Sequence, residues 1–161
     1  MGILLPKHLR WGVIGSANIA IKSVIPAIQQ SRNGTVTAIA SRSLDKAEEV
    51  ARRLGIQKTY DSYEKLLQDP DIDAVYIPLP NHLHAEWTIR AAKAGKHVLC
   101  EKPIALNAEE AKRMIDACQK AGVHLAEAFM YRHHPRYKAI LSIIREGGIG
   151  EIRTIRGSFT F

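Results

Sequence analysis

A segment near the start of the chain, residues 10–20, joins a strand-like apolar run to a turn made of small residues. The run ends in the pattern Gly-x-Ala-x-x-Ala, and a helix-like pattern begins at once. Glycine adopts the backbone angles of a tight turn, and small side chains let strand, turn and helix approach closely. The first N–H groups of the new helix are then free to face an anion. The segment predicts a phosphate-binding turn formed by Gly15, Ser16, Ala17, Asn18 and Ile19.

Strand-like and helix-like segments alternate along the chain after this turn, with short linkers between them. This alternation predicts an α/β fold, a doubly wound (Rossmann-like) parallel sheet with helices on both faces. Predicted strands lie at 11–15, 35–40, near 59, 74–77, 97–100 and 124–129. Predicted helices lie at 17–30, 44–54, 81–94 and 108–120, with a brief one after a capping box at 61–64. Expected helix caps are Ser43, Asn81 and Asn107, expected stops are Gly55, Gly95 and Gly122, and Pro26 predicts a kink.

The pattern changes after residue 130, where a helix at 135–145 and a turn at 147–150 precede an alternating segment at 151–161. We predict a dinucleotide-binding domain at 1–130, and at 131–161 a linker helix with the first strand of a second α/β domain. A strand at a sheet edge needs partners for its backbone groups. We therefore expect self-association through this strand, or disorder of the segment that contains Ile152, Ile155, Phe159 and Phe161.

Composition excludes several classes of protein. The 161 residues carry 23 Lys and Arg against 16 Asp and Glu, a net charge of +7, but the basic residues are scattered. A scattered basic surface does not favour nucleic acid, and charges interrupt every apolar run before it could span a membrane. Cys100 and Cys118 lack the spacing of a zinc site or a disulfide framework, and the histidine pairs diverge, so no metal site is predicted. We expect a cytoplasmic protein with reduced thiols.

The end of the second predicted strand indicates which cofactor the turn would serve. An NAD site usually places Asp or Glu there to bind the ribose 2′-hydroxyl. This chain instead has Ser41, Arg42 and Ser43, and Asp45 falls inside the next helix. Hydroxyl and guanidinium groups suit a 2′-phosphate. The sequence predicts NADP over NAD, held by Arg42 with Ser41 or Ser43.

Two further loops follow the fourth and fifth predicted strands, at the edge where ligands bind in an open parallel sheet. The first contains Leu79, Pro80, Asn81 and His84, and we expect these residues to line the cofactor groove. The second is Cys-Glu-Lys-Pro at 100–103. A lysine at this edge brings an ammonium to the nicotinamide end of the groove, where it favours an alkoxide or relays a proton.

Several segments occur together in a fixed order. They are the turn at Gly15, Tyr-Glu-Lys-Leu-Leu at 63–67, Pro-x-x-x-His-Ala from Pro80, the run 94–103 ending in Glu-Lys-Pro, and Glu-Ala-Phe-Met-Tyr-Arg at 127–132 with Pro135. In this order they resemble the N-terminal half of the glucose-fructose oxidoreductase and inositol dehydrogenase family (Gfo/Idh/MocA type). The last segment is similar to that of its sugar and dihydrodiol dehydrogenase branch.

The resemblance implies an NAD(P)-dependent oxidoreductase that acts on a sugar, polyol or dihydrodiol-type alcohol or carbonyl. It implies that Lys102 is the active-site lysine and that Glu101 and the Asn81–His84 loop border the cofactor. Members of the family continue into a larger α/β domain that supplies the substrate pocket. We therefore expect the 161 residues to hold the cofactor and to be inactive alone.

Two other functions stay open at this stage. One is a non-catalytic NAD(P)-binding module that senses the cofactor or docks onto a partner. The other is a basic nucleic-acid binder, which predicts strongly salt-dependent DNA binding and little affinity for NADP.

Overall fold

The computed structural model describes residues 7–158 and residue 160. The chain forms two compact units, Met1–Ala128 and Phe129–Phe161.

The first unit is built on a sheet of six parallel strands in the order β3-β2-β1-β4-β5-β6. This confirms the predicted α/β class with a doubly wound sheet. The strands are β1 (Leu9–Ile14), β2 (Gly34–Ala40), β3 (Lys58–Tyr60), β4 (Ala74–Ile77), β5 (His97–Cys100) and β6 (Leu125–Glu127). The last of these is shorter than the predicted segment at 124–129, because only three of its residues pair with β5.

The helices of the first unit connect successive strands. They are α1 (Ile25–Gln29), α2 (Leu44–Leu54), α3 (Tyr63–Gln68), α4 (His84–Lys93) and α5 (Ala108–Ala121). A π-helical turn (Ala20–Val24) precedes α1, and a 3₁₀ turn (Asn81–Leu83) precedes α4. The single regular helix predicted at 17–30 is therefore wrong in detail. Pro26 has no N–H to donate to the preceding turn, which accounts for irregular hydrogen bonding at the junction.

Helix capping follows the sequence only in part. Asn107 Oδ1 accepts a hydrogen bond from the Glu110 N–H at 2.9 Å, as predicted. The capping box predicted at 61–64 is wrong, because Ser62 is the cap and accepts from the Lys65 N–H at 3.2 Å. Ser43 occupies the predicted N-cap position of α2 but makes no side-chain cap bond. The capping role of Asn81 is wrong, because Asn81 begins a 3₁₀ turn that precedes α4.

Both faces of the sheet are buried, which explains the continuous apolar runs of its strands. Side chains alternate along β4, so Val75 and Ile77 face α3, α4 and α5, whereas Tyr76 faces α1 and α2. Cys100 and Cys118 are free and buried, as predicted for reduced thiols. Burial raises the pKa of the Cys100 thiol to about 12, so this side chain stays neutral and packs like an apolar residue.

A polar cluster lies where the chain leaves α3 and enters β4. The Asp69 carboxylate accepts hydrogen bonds from Lys58 Nζ at 2.9 Å and from the Tyr60 hydroxyl at 2.8 Å. The buried ammonium of Lys96 donates to the main-chain carbonyls of Asp69 and Ile72. Burial raises the pKa of Asp69, but bonds from Lys58, the Asp71 main chain and Tyr60 outweigh it and bring the pKa to about 2.

Asp69→Asn is expected to lower the free energy of unfolding by about 2 kcal/mol at neutral pH. This loss is smaller than the free energy that corresponds to the whole pKa shift of Asp69, because the Lys58 side chain is 38% exposed and water partly screens its charge. The folded pKa lies below the usual value of 3.8, so the stabilisation is complete above that value and is lost as pH falls toward 2. Urea unfolding at several pH values measures the difference. Asp116→Asn on α5 is the exposed control, and a deficit of Asp69→Asn that persists at acid pH would contradict the assignment.

The second unit contains a 3₁₀ turn (Met130–His133) and α6 (Pro135–Arg145), which matches the predicted helix. His134 Nδ1 accepts from the Arg136 N–H at the start of α6. The strand predicted at 151–161 is wrong for the described part of the segment, since residues 151–158 and 160 are irregular. A strand forms only with a hydrogen-bonded partner, and these residues have none within the described chain. Phe159 and Phe161 lie outside the described residues, and self-association remains a prediction.

Candidate cofactor-binding site

The strand order reverses between β1 and β4. From β1 the chain moves outward through β2 to β3, and it then crosses to β4 on the other side of β1. Loops that leave β1 and β4 therefore diverge to opposite faces of the sheet and leave a crevice at its carboxyl edge. Residues 15–17 follow β1, and residues 78–80 follow β4, so both predicted loops border this crevice.

A groove of about 520 Å³ occupies this position. It joins the turn after β1, the start of α2 and the loop after β4, and none of its lining residues is acidic. The lining residues are Gly15, Ser16, Ala17, Ser41, Arg42, Ser43, Lys46, Tyr63, Pro78, Leu79 and Pro80.

Gly15 shapes the floor of the groove. Its φ angle is 110°, and a Cβ atom at this position would lie 3.0 Å from Leu79 Cδ2. Its N–H donates to the Ala40 carbonyl at 2.8 Å, which ties the turn to the end of β2. The Ile21 N–H donates to the Ala17 carbonyl at 3.2 Å, which is the first hydrogen bond of the helical segment. The N–H groups of the residues just before Ile21 therefore have no acceptor within that segment. The turn therefore offers the donors that an anion requires.

Gly15→Ala is expected to lower the free energy of unfolding by about 2 kcal/mol, because alanine is strained at positive φ and meets Leu79. Thermal or urea unfolding measures the change. Gly157→Ala is the matched control, since a Cβ there meets nothing within 4 Å and its φ is not in the left-handed region. Equal stability of Gly15→Ala and the parent chain would contradict the strained turn.

The far end of the groove is basic. Arg42 follows β2, and Lys46 lies in the first turn of α2. The Ser41 hydroxyl oxygen accepts from the Ser43 N–H at 3.3 Å, which orders the loop between β2 and α2. Asp45 lies inside α2, as predicted, and it is exposed and does not line the groove. Two cations and two hydroxyls thus gather where an NAD site would place a carboxylate.

Lys46 and Tyr63 were missed by sequence reasoning. The position of Lys46 in the first turn of α2 was a usable signal, because helical side chains tilt toward the helix N-terminus, next to which Arg42 lies. Tyr63 belongs to a segment that carries the family resemblance, but no local pattern places it at the groove. It reaches the groove because α3 packs on β1, β2 and β3. Burial raises the pKa of the Tyr63 phenol, and Arg42 opposes this rise through its charge and a hydrogen bond. The neutral phenol therefore lies beside the Arg42 guanidinium.

Glu101 and Lys102 lie beyond the groove, at the carboxyl end of β5. The Tyr76 hydroxyl donates to Glu101 Oε1 at 2.7 Å, and the Lys102 N–H donates to Glu101 Oε2 at 3.1 Å. Both carboxylate oxygens are thus held. Burial and the hydrogen bond to Glu101 both raise the pKa of Tyr76, which keeps its hydroxyl a donor. Lys102 is exposed, so its ammonium is accessible to a ligand.

His84 begins α4, and its side chain is completely buried. Nε2 lies 2.7 Å from the Leu79 carbonyl oxygen, and Nδ1 lies 2.9 Å from that of Pro103. His84 therefore contacts both of the loops that the sequence assigns to the site.

The structure brings part of the predicted set together. Gly15, Ser16, Ala17, Ser41, Arg42, Leu79 and Pro80 line the groove, whereas Asn18, Ile19, Asn81, His84, Glu101 and Lys102 do not. Contact of any of them with a cofactor remains a prediction.

Other candidate sites are less suited to a dinucleotide. The 129–161 unit has a concavity of about 630 Å³, lined mainly by apolar and aromatic atoms of residues 130–140. It contains none of the residues predicted to bind the cofactor. Across residues 7–158, no three His, Cys, Asp or Glu side chains are grouped as metal ligands would be. No helix within the same residues has the length and apolar content needed to cross a membrane.

A six-stranded doubly wound sheet with a glycine turn at its switch point defines a dinucleotide-binding Rossmann domain. The chain belongs to the GFO_IDH_MocA family, described as an oxidoreductase family with an NAD-binding Rossmann fold, which matches residues 9–129. This confirms the resemblance drawn from the motifs.

Relatives of known name or structure share most of this chain. An uncharacterized oxidoreductase of Rhizobium meliloti is 53% identical over 152 residues, covering 94% of this chain and 46% of that protein. D-xylose 1-dehydrogenase (NADP(+)) 2 of Haloferax volcanii is 47% identical over 153 residues, which cover 95% of this chain and 46% of that protein. The crystal structure of a 3-ketoreductase from Actinomadura kijaniata with NADP and TDP-benzene has a TM-score of 0.86 at 44% identity. The match covers 91% of this chain and 45% of the ketoreductase chain. The chain thus spans about half the length of the relatives it matches.

Proposed function

We propose that this chain is the NADP-binding half of an oxidoreductase that transfers hydride between nicotinamide and a sugar, polyol or dihydrodiol-type alcohol or carbonyl. The observation that carries the choice of cofactor is the basic end of the groove, where Arg42 and Lys46 occur without an acidic neighbour in the lining. Guanidinium and ammonium groups favour a 2′-phosphate, and a carboxylate would repel it.

The groove fits the two anionic parts of NADP. The cradle at Gly15, which a Cβ would fill, suits the pyrophosphate, and Ser41, Arg42, Ser43 and Lys46 suit the 2′-phosphate. Tyr63 adds a neutral hydroxyl beside Arg42. When bound, the cofactor supplies or accepts the hydride. The residues of this chain bind and orient it.

Lys102 is the residue that we assign to proton and charge handling. Its exposed ammonium follows Glu101, whose two oxygens are already bonded to Tyr76 and to the main chain. A positioned ammonium stabilises negative charge on a substrate oxygen or transfers a proton to it. The substrate class rests on the family and on relatives that include a D-xylose dehydrogenase and a ketoreductase. A cytoplasmic location remains part of the proposal.

Titration of the 161-residue chain with NADP and NAD tests the cofactor assignment. NADP is expected to bind at least about 10-fold more tightly, because even one of the charged hydrogen bonds assigned to the 2′-phosphate contributes about 1.5–3 kcal/mol. Calorimetry or the fluorescence of the reduced cofactors measures both dissociation constants. Equal affinity for NAD and NADP would overturn the 2′-phosphate site. Absence of binding to either would overturn the proposal.

A further inference from the structure

The His84 ring joins two loops that leave different strands. Its Nε2 meets the carbonyl of Leu79 in the loop after β4, and its Nδ1 meets the carbonyl of Pro103 in the loop after β5. The side chain is 0% exposed, so water does not compete for either nitrogen. No other side chain in the described chain is bonded to both loops.

Both partners of the ring are main-chain carbonyl oxygens, which only accept hydrogen bonds. A neutral imidazole has one N–H and one lone pair, so one of its nitrogens would direct its lone pair at an oxygen. Turning the ring over would place C–H groups against both oxygens and lose both bonds. Only an imidazolium, with an N–H on each nitrogen, satisfies both contacts.

We propose that His84 is a positioning residue, held as an imidazolium, that locks the cofactor-lining loop at Leu79 to the loop that carries Lys102. Its role in the reaction rests on the proposed function, whereas its charge state does not. Leu79 lines the groove and contacts the Gly15 turn, and Pro103 directly follows Lys102. A shift of the Leu79 main chain on cofactor binding is therefore transmitted through one ring to the lysine.

Within the described residues no carboxylate is bonded to the ring, so the two carbonyl oxygens offset the cost of burying its charge. The loop after β5 carries Glu101 and Lys102, and Glu127 Oε1 of β6 accepts from the Ile104 N–H at 2.9 Å. Two carboxylates thus accompany one ammonium at this end of the sheet. On the helix of His84 itself, His82 and Glu86 are both exposed.

The charge state is tested on the ligand-free 161-residue chain by nitrogen-15 NMR of the histidine rings near neutral pH. His84 signals are assigned by their loss in His84→Gln and, if that variant does not fold, in His84→Asn or by through-bond correlation in the parent chain. We expect N–H cross peaks from both ring nitrogens and slow hydrogen exchange. A ring with one unprotonated nitrogen would overturn the clamp.

The positioning role is tested with adenosine 2′,5′-bisphosphate, a probe that reaches the groove but not residues 101–104, which are absent from its lining. In the parent chain we expect the probe to shift the amide signals of residues 79 and 104. In His84→Gln the shift at 79 should remain and that at 104 should fall by at least about half, because glutamine has one nitrogen in place of the two ring nitrogens that reach the two carbonyls.

His82→Gln is the matched control, since it changes an exposed ring two residues away. It should preserve both shifts. An undiminished shift at residue 104 in His84→Gln would overturn the positioning role. If the probe does not bind the parent chain, the proposed 2′-phosphate site fails, and the ligand-free ring spectrum still decides the charge state.

Discussion

Replacing Arg42 and Lys46 together by alanine is expected to weaken NADP binding on the order of 1,000-fold and to leave NAD binding within about threefold of the parent. Each cation is assigned a charged hydrogen bond to the 2′-phosphate, a group that NAD lacks. Both residues line the basic end of the groove. Calorimetric dissociation constants for the two cofactors in the parent chain and the variant give the result directly.

Two further variants make this experiment specific. Arg53→Ala removes an exposed cation from the other end of α2 and should leave both affinities unchanged. Single replacements should each account for part of the NADP loss. If NAD affinity falls as much as NADP affinity, the two cations act on the pyrophosphate or on folding, and the assignment to the 2′-phosphate is wrong.

Lys102→Ala is expected to lower turnover on the order of 1,000-fold while the dissociation constant of NADP changes by no more than about threefold. The reason is that the ammonium acts on the substrate oxygen, whereas the groove that holds the phosphates is formed without it. The measurement requires a longer protein that contains this segment and turns over a sugar or polyol. Single-turnover kinetics with saturating NADP separate the chemical step from binding.

Lys120→Ala, an exposed lysine at the end of α5, is the control for a general loss of charge. Turnover that survives Lys102→Ala would exclude a role in proton transfer. A parallel loss of NADP affinity would make Lys102 a cofactor ligand. A longer protein that binds NADP without turnover of any polyol would favour the non-catalytic sensor or docking module.

Much of the site was predictable because parallel strands place their carboxyl ends at one edge. Once the strands were recognised, the turn at Gly15, the loop at Ser41 and Arg42, and the loop at Leu79 had to approach one another. Strand β4 and helix α2 match their predicted bounds, since buried apolar runs and glycine stops are strong local signals.

Local patterns failed where a distant partner decides the structure. The segment after residue 150 alternates like a strand, yet residues 151–158 and 160 are irregular, because alternation supplies no hydrogen-bonding partner. Ser43 occupies the N-cap position of α2 without a side-chain cap bond. The Ser43 N–H is instead bonded by the hydroxyl of Ser41, a choice set by the loop and not by residue type.

By itself the sequence determined the α/β class and the glycine turn after the first strand, and it predicted a preference for a 2′-phosphate. These inferences depend on residue type at the ends of locally encoded strands. Only the tertiary structure decided what surrounds each group. It placed Lys46 and Tyr63 in the groove, bonded Tyr76 to Glu101, and buried His84 between two carbonyl oxygens. Such contacts join residues from different strands and helices, so they depend on how the elements pack, which no short stretch of sequence encodes.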